Sequence, residues 1–275
     1  MGNTMNMIQR YQQTTCTVKE AKLNIFAPYE KKQTEHVNTI VYEDTRYKVE
    51  LKGFRLNQTH RDLLDIASYF GDNSLEQKVE DKRPLRTFSL YEVQKHLNYK
   101  CKNNNKWIDD KFSEIQQSII KITDKSDGSW VQFNIIDVAQ YSQKINRYAM
   151  VISELYMLFF ENEISVGWKD YLKDILSLNA QSRALARFIL SHSNSFTIGL
   201  DKAMEKIGID KSKMTPKSFR ANRRKILENR DELKLLNILI KESADCTSRN
   251  QNYIIEYKLL PKIQIYHPMK NEAKI

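Results

Sequence analysis

A helix, a turn, a second helix and a β-hairpin follow one another twice along this 275-residue chain, and that repeated order limits the fold more than any single motif does. In the first pass Arg86–Phe88 reads as a short strand, and Ser89 caps a helix through His96 with Leu90, Val93 and Leu97 inward. The turn from Asn98 to Asn105 leads to a second helix whose Ile108, Phe112, Ile115 and Ile119 share one face. Ile120–Thr123 and Trp130–Ile136 then read as strands joined through Asp-Gly turn chemistry. In the second pass Asn179–His192 is a helix with Ala184, Leu185, Phe188 and Ile189 inward, and Phe196–Ile198 is a short strand. Leu200–Ile207 is a helix stopped by Gly208, Pro216–Asn229 is a longer helix, and Leu235–Ile240 with Tyr253–Leu259 makes a hairpin around the polar tip Lys241–Asn252. Each pass is the winged-helix order. The expected fold is α+β, with two tandem winged-helix domains, mainly helical and carrying small antiparallel sheets as wings.

Ahead of the first pass, Val37–Tyr42 and Arg46–Leu51 read as a hairpin, and Asn57 caps a helix over Gln58–Phe70 that Gly71 stops. Residues 1–22 are polar and aperiodic. The expected organisation is a flexible N-terminal tail over 1–36, a first winged-helix domain over 37–166, a second over 167–265 and a C-terminal tail over 266–275. The longest weakly polar run, Tyr148–Phe160, carries Glu154 and falls short of the roughly 20 apolar residues that cross a bilayer, so no membrane contact is expected. The first 20 residues lack an apolar core and a small-residue cleavage site, which makes a cytoplasmic protein the expectation. Cys16, Cys101 and Cys246 are odd in number and widely spaced, as reduced thiols would be.

Several chemistries are poorly served. The seven glycines cannot be arranged as either phosphate-cradling loop, and the five histidines never fall two, three or four apart, as paired metal ligands on one element would. A Glu-x-Lys nuclease motif begins at eight different glutamates, so its occurrence in a Lys-rich chain carries no information. Glu256-Tyr257-Lys258 lies on an expected strand, but no acid cluster precedes it to hold a divalent cation. No catalytic residue, metal or cofactor is expected, and the chain reads as a non-enzyme.

The positive charge has a location. A net charge of +10 attracts polyanions at long range, which makes nucleic acid the default partner. Between Asp210 and Arg230 there are eight basic residues against two acids. At helical spacing Lys213, Lys217, Arg220 and Arg224 fall on one side while Phe219 and Ile226 fall on the other, so one side can enter a core and the other a groove of duplex DNA. Candidate DNA-contacting residues are therefore Lys213, Lys217, Arg220, Asn222, Arg223 and Arg224, with Arg249 in the hairpin tip and Lys106 on the second helix of the first domain. An ordinary solvated basic helix face has the same composition. In the first domain Asp109 and Asp110 accompany Lys106, so that module is expected to contribute less to affinity.

The runs Ile164–Lys169, Leu178–His192 and Phe219–Leu227, together with Lys52–Gln58, Leu63 and Phe88–Leu90, resemble the TrfA family of plasmid replication initiators. The resemblance extends over most of the chain from about residue 37 to 260. It implies a protein with two winged helices that binds repeated sites (iterons) in double-stranded origin DNA, promotes local melting and recruits host replication proteins: initiator, helicase and sliding clamp. Self-association is a further expectation. Lys22-Leu23-Asn24-Ile25-Phe26 is similar to the QLxLF peptide that docks on sliding clamps, with Leu23, Ile25 and Phe26 as anchors and Lys22 in place of the glutamine; a plain edge strand fits the same residues. A winged-helix transcriptional repressor would use the same DNA surface, and a DNA nuclease is the alternative from another class.

Overall fold

The computed structural model describes residues 3–4, 15–28, 36–70, 85–97, 105–159, 164–243 and 252–267. In chain order the strands are β1 (Asn3–Thr4), β2 (Thr15–Thr17), β3 (His36–Glu43), β4 (Tyr47–Phe54), β5 (Leu85–Ser89), β6 (Ile119–Asp124), β7 (Trp130–Asn134), β8 (Ile136–Ser142), β9 (Arg147–Ile152), β10 (Ser165–Gly167), β11 (Phe196–Gly199), β12 (Ile238–Glu242), β13 (Tyr253–Tyr257) and β14 (Gln264–His267). The helices are α1 (Val18–Lys22), α2 (Gln58–Phe70), α3 (Leu90–His96), α4 (Asn105–Gln116), α5 (Glu154–Phe159), α6 (Leu172–Ser177), α7 (Ala180–Leu190), α8 (Leu200–Lys206), α9 (Pro216–Glu228) and α10 (Arg230–Lys234).

The two halves are winged helices with the same strand order. In the first, α2, β5, α3 and α4 are followed by the hairpin β8–β9, and the sheet runs β5-β9-β8. In the second, α7, β11, α8 and α9 are followed by β12–β13, and the sheet runs β11-β13-β12. Local chemistry sets the helix starts. The Ser89 side chain accepts from the Glu92 N–H while the Glu92 carboxylate accepts from the Ser89 N–H, a reciprocal cap, and Asn179 caps α7 by accepting from the Ser182 N–H at 3.0 Å.

The first wing is not the hairpin that the sequence suggests. Ile120–Thr123 and Trp130–Ile136 lie largely in β6 and β7, which extend the β3–β4 hairpin into a separate sheet of order β3-β4-β6-β7. Val49 faces Ile122 and Leu51 faces Ile120 across β4 and β6, all four buried, so this hairpin is drawn to the β3–β4 pair rather than to β5. Gly53 allows the close approach: it has φ +98°, and a Cβ there would sit 2.5 Å from the Gln117 carbonyl oxygen at the end of α4.

The described part of the N-terminal region is also not a tail. β2 pairs with β10, α1 follows with Thr17 as its cap, and Leu23 and Ile25 are each 1% exposed within the core of the first winged helix. Cys16 packs into the core of the second as a buried free thiol, whose burial raises its pKa. This strap is tied down further where the Ala27 N–H donates to the Leu56 carbonyl at 2.9 Å and the Gln58 amide donates to the Phe26 carbonyl at 3.0 Å. Apolar side chains two residues apart are both buried here because the first core closes over them. Residues 266 and 267, expected in a C-terminal tail, belong to β14, and Tyr266 is buried. One four-stranded sheet, β1-β14-β10-β2, thus joins both ends of the chain to the segment between the domains.

The domains meet through charge. On α2, Asp62 and Asp65 face Arg183 and Arg187 of α7: the Arg187 Nη2 lies 2.6 Å from Asp62 and 2.8 Å from Asp65, and the Arg183 Nε lies 3.3 Å from Asp62. The Arg187 Nη1 donates to the Gln58 side chain at 2.6 Å. Arg61 bonds Asp65 at 2.9 Å and also Glu20 of the strap, whose carboxylate accepts from the Tyr156 hydroxyl at 2.6 Å. Glu20, Arg61, Asp62, Asp65 and Arg187 are all buried, and each charge is answered: Asp62 and Asp65 by the arginines of α7 across the interface, and Arg61 by Asp65 of its own helix and by Glu20 of the strap.

Candidate nucleic-acid interface

The third helix of the second winged helix, α9, carries the basic run. Thr215 caps it by accepting from the Ser218 N–H at 3.2 Å, and Pro216 occupies its first turn, where a missing N–H has no consequence. Phe219 and Ile226 are buried against the second core and orient the helix. The opposite side is open. Lys217, Arg220 and Arg224 are exposed and fall within about 60° of one another at 100° per residue. Lys211 and Lys213 are exposed in the preceding turn, and Lys225 on the flank.

These charges are only lightly engaged. The Arg220 Nε donates to the Pro216 carbonyl at 3.2 Å, which stands the guanidinium along the helix. Arg224 lies 3.5 Å from Glu228 one turn on, and Lys213 3.6 Å from Asp210, both exposed pairs that counterions or phosphates can displace. Asp210 is held by the Ser212 hydroxyl and N–H, each at 2.8 Å, and these bonds lower its pKa. It therefore shapes the turn rather than cancelling the basic face.

Two of the sequence candidates on α9 are turned elsewhere. Arg223 is half-buried, with its guanidinium 5.0 Å from the Tyr253 ring and 3.7 Å from Asp201, so it ties α9 to the wing and to α8. Asn222 accepts from the Gln181 amide at 3.0 Å and donates to the Ser218 carbonyl at 3.1 Å, bracing α9 against α7. The cause is angular: with Phe219 and Ile226 inward, Asn222 and Arg223 come to lie on the two margins of the buried side. A second brace joins the same helices, where the Asn179 amide donates to the Lys225 carbonyl at 2.6 Å and the Asn229 side chain accepts from the Asn179 N–H at 2.9 Å. Arg249 lies outside the described residues. On the wing, Lys241 pairs with Glu256 at 2.6 Å.

The corresponding helix of the first domain, α4, has a different surface. Lys106, Asp109 and Asp110 are exposed, the Asp109 carboxylate accepts from the Tyr148 hydroxyl, and Lys111 is tied to Glu114 at 2.7 Å. Leu23 and Ile25, expected as clamp anchors, are core residues, and Phe26 is half-buried with the Arg61 guanidinium 5.7 Å from its ring. A docking groove cannot take them while the strap is seated. Sequence reasoning missed Arg183 and Arg187 on α7 and Asp62 and Asp65 on α2. Their signal was present as pairs of like charge one turn apart, opposite in sign between the two helices.

Among the described residues no group of three or more His, Cys, Asp or Glu could hold a metal ion, and no helix is long and apolar enough to cross a membrane. No protein-family model and no curated protein matches the chain. Solved structures do. Domains 2 and 3 of RctB superpose with a TM-score of 0.58 at 10% identity, covering 88% of this chain and 98% of that one. A second structure of RctB domains 2–3 gives 0.53 at 11% identity, covering 86% and 96%. The Pi initiator protein in complex with iteron DNA gives 0.47 at 14% identity, covering 74% and 90%. The likeness to RctB shows the fold, tandem winged helices.

Proposed function

We propose that the chain is a sequence-specific origin-binding initiator of the TrfA-like kind, which places α9 in the major groove of repeated duplex sites and acts without catalysis. The observation that carries the reading is the open face of Lys217, Arg220 and Arg224 on the third helix of a winged helix, opposite a side fixed by Phe219 and Ile226. Arg220 and Arg224 are the base-reading residues, since a guanidinium can grip guanine with two parallel bonds. Lys211, Lys213 and Lys217 are compact charges suited to phosphates. Local melting of the origin, recruitment of host initiator and helicase, and self-association belong to the same proposal and rest on the resemblance to TrfA. Leu23, Ile25 and Phe26 do not serve as anchors for a sliding clamp in this reading, because those side chains are packed in the fold.

Titration of the purified chain against repeat duplexes and against scrambled duplexes at several salt concentrations tests the reading. Arg220→Ala and Arg224→Ala should each weaken the specific complex by about 1–3 kcal/mol. Lys217→Ala should lower affinity for both duplexes and reduce the salt slope by about 1. Equal affinity of wild type for repeat and scrambled DNA, or arginine variants that read the repeat unchanged, refutes it. A repressor would bind the same duplexes; maintenance of an origin fragment by the gene supplied in trans separates the two.

A further inference from the structure

We infer that Arg187 is a positioning residue: by forking onto Asp62, Asp65 and Gln58 it holds the two winged helices in one orientation, so that duplex DNA meets both at a single helical phase. The part concerning DNA rests on the origin-binding reading, while the fixed orientation is a property of the free chain.

Tandem domains ordinarily move relative to one another, because their interfaces are small and polar. This interface is polar, but its charges are buried and directional. The Arg187 guanidinium is planar with its donors in a rigid fork, and it uses three nitrogens: Nε to Asp65 at 3.1 Å, Nη2 to Asp65 at 2.8 Å and to Asp62 at 2.6 Å, and Nη1 to Gln58 at 2.6 Å. Full separation would return these groups to water. A rotation of a few degrees would not: it would leave them buried with their bonds broken, which is the costliest state for a charge. The orientation therefore sits in a steep well. A shift of one helical turn, which could exchange Arg183 for Arg187, is opposed by the strap, because it packs Leu23 and Ile25 in the first core and Cys16 in the second and pairs through β2 with β10.

The link continues to the reading helix. α7 holds α2 through Arg183 and Arg187 and holds α9 through Asn179 and Gln181. A two-sided strut of this kind transmits the orientation of the first domain to α9 through contiguous bonds. B-form DNA completes a turn in roughly 10–10.5 base pairs, so inserting about 5 base pairs inside a bound site turns one half to the opposite side of the duplex. A rigid pair of modules cannot follow that change. A loosely joined pair can.

The test uses the full chain. Spin labels are placed at Gln132→Cys in the first domain and Asp231→Cys in the second, with Cys101→Ser and Cys246→Ser so that only the buried Cys16 remains as a further thiol, and pulsed electron resonance measures the distance without DNA. Wild type should give one narrow distance, and Arg187→Met and Arg187→Lys should broaden it, the lysine because it keeps the charge and loses the fork. Should either fail to fold, Gln58→Ala removes one leg of the fork, keeps every ion pair and should broaden the distance partially. On DNA, a 5-base-pair insertion within the footprinted site should weaken wild type at least tenfold and Arg187→Met less than threefold. A broad or two-peaked distance in wild type overturns the inference, as does an Arg187→Met distance as narrow as wild type. Wild-type binding indifferent to the insertion overturns the single helical phase. A narrow wild-type distance together with no preference for repeat DNA sinks the origin-binding reading and the helical phase with it, and the distances alone then judge whether Arg187 positions the domains.

Discussion

Replacing Ile25 or Leu23 with alanine separates a packed strap from a free docking peptide. Each side chain is 1% exposed in the core of the first winged helix, and removing a buried Leu or Ile to alanine costs roughly 2–5 kcal/mol, through lost transfer energy plus the cavity left behind. At about 3 kcal/mol, within that range, and with about 2–4 °C of melting temperature per kcal/mol for a chain near this size, each variant should melt about 6–12 °C below wild type. The two residues share one core cluster, so the double variant should fall short of or exceed the sum rather than match it. Phe26→Ala should cost less, since Phe26 is only half-buried, at the edge of the first core with the Arg61 guanidinium over its ring. Melting is followed by far-ultraviolet circular dichroism, which sums both domains, and by tryptophan fluorescence, which reports Trp107 and Trp130 of the first half together with the buried Trp168 of the second core. Surface substitutions usually stay within about 0.5 kcal/mol. Melting temperatures for Ile25→Ala and Leu23→Ala within 2 °C of wild type would therefore refute the seating of the strap and return these residues to the role of exposed anchors.

Arg223→Ala should lower the melting temperature while the folded protein keeps its preference for repeat over scrambled DNA, because Arg223 is spent on Tyr253 and Asp201; a changed base preference in binding titrations contradicts that role. Gly53→Ala should destabilise by at least about 1–3 kcal/mol in urea melts, since its φ is +98° and a Cβ meets the Gln117 carbonyl, whereas Gly199→Ala, with nothing near its Cβ, should be tolerated. Burial pushes the Glu114 carboxyl up, but hydrogen bonds from His60 and Lys111 outweigh it and bring the group from 4.5 to about 2. A folded value below the unfolded one stabilises above about pH 4.5 and is lost as pH falls toward 2, so Glu114→Gln should be less stable at pH 7 and show a shallower loss of melting temperature between pH 5 and 2.5.

Elements whose ends are written in short-range chemistry were legible in the sequence: Ser89 with Glu92, Asn179, and Thr215 with Pro216 place α3, α7 and α9 to within a residue or two. Pairing between distant segments was not. The β6–β7 hairpin carries its own turn chemistry, but nothing in its alternation says whether β5 or β4 will receive it. The true wing, β8–β9, turns through Asn146 at φ +51° rather than through glycine, and its outer strand exposes Val138 and Gln140, so its alternation was muted. Leu23 and Ile25 misled because an apolar pair set in a polar stretch looks the same whether it docks on a partner or on its own domain. On the interface, the share of Arg220 and Arg224 followed from helical angle, while the inward turn of Asn222 and Arg223 depended on neighbours from α7, α8 and β13 that spacing does not reveal.

The sheet that joins β1 to β14, and β10 to β2, sets a timetable for synthesis on the ribosome. β2 emerges early but has no partner until Ser165–Gly167 have been made, and β1 waits for Gln264–His267. At about 5–20 residues per second, that interval is on the order of ten seconds to a minute, during which β1 and β2 lack their partner strands. Chaperone dependence during translation should accordingly be strongest before Ser165–Gly167 are made and should fall again once Gln264–His267 have left the exit tunnel, because these segments complete one sheet.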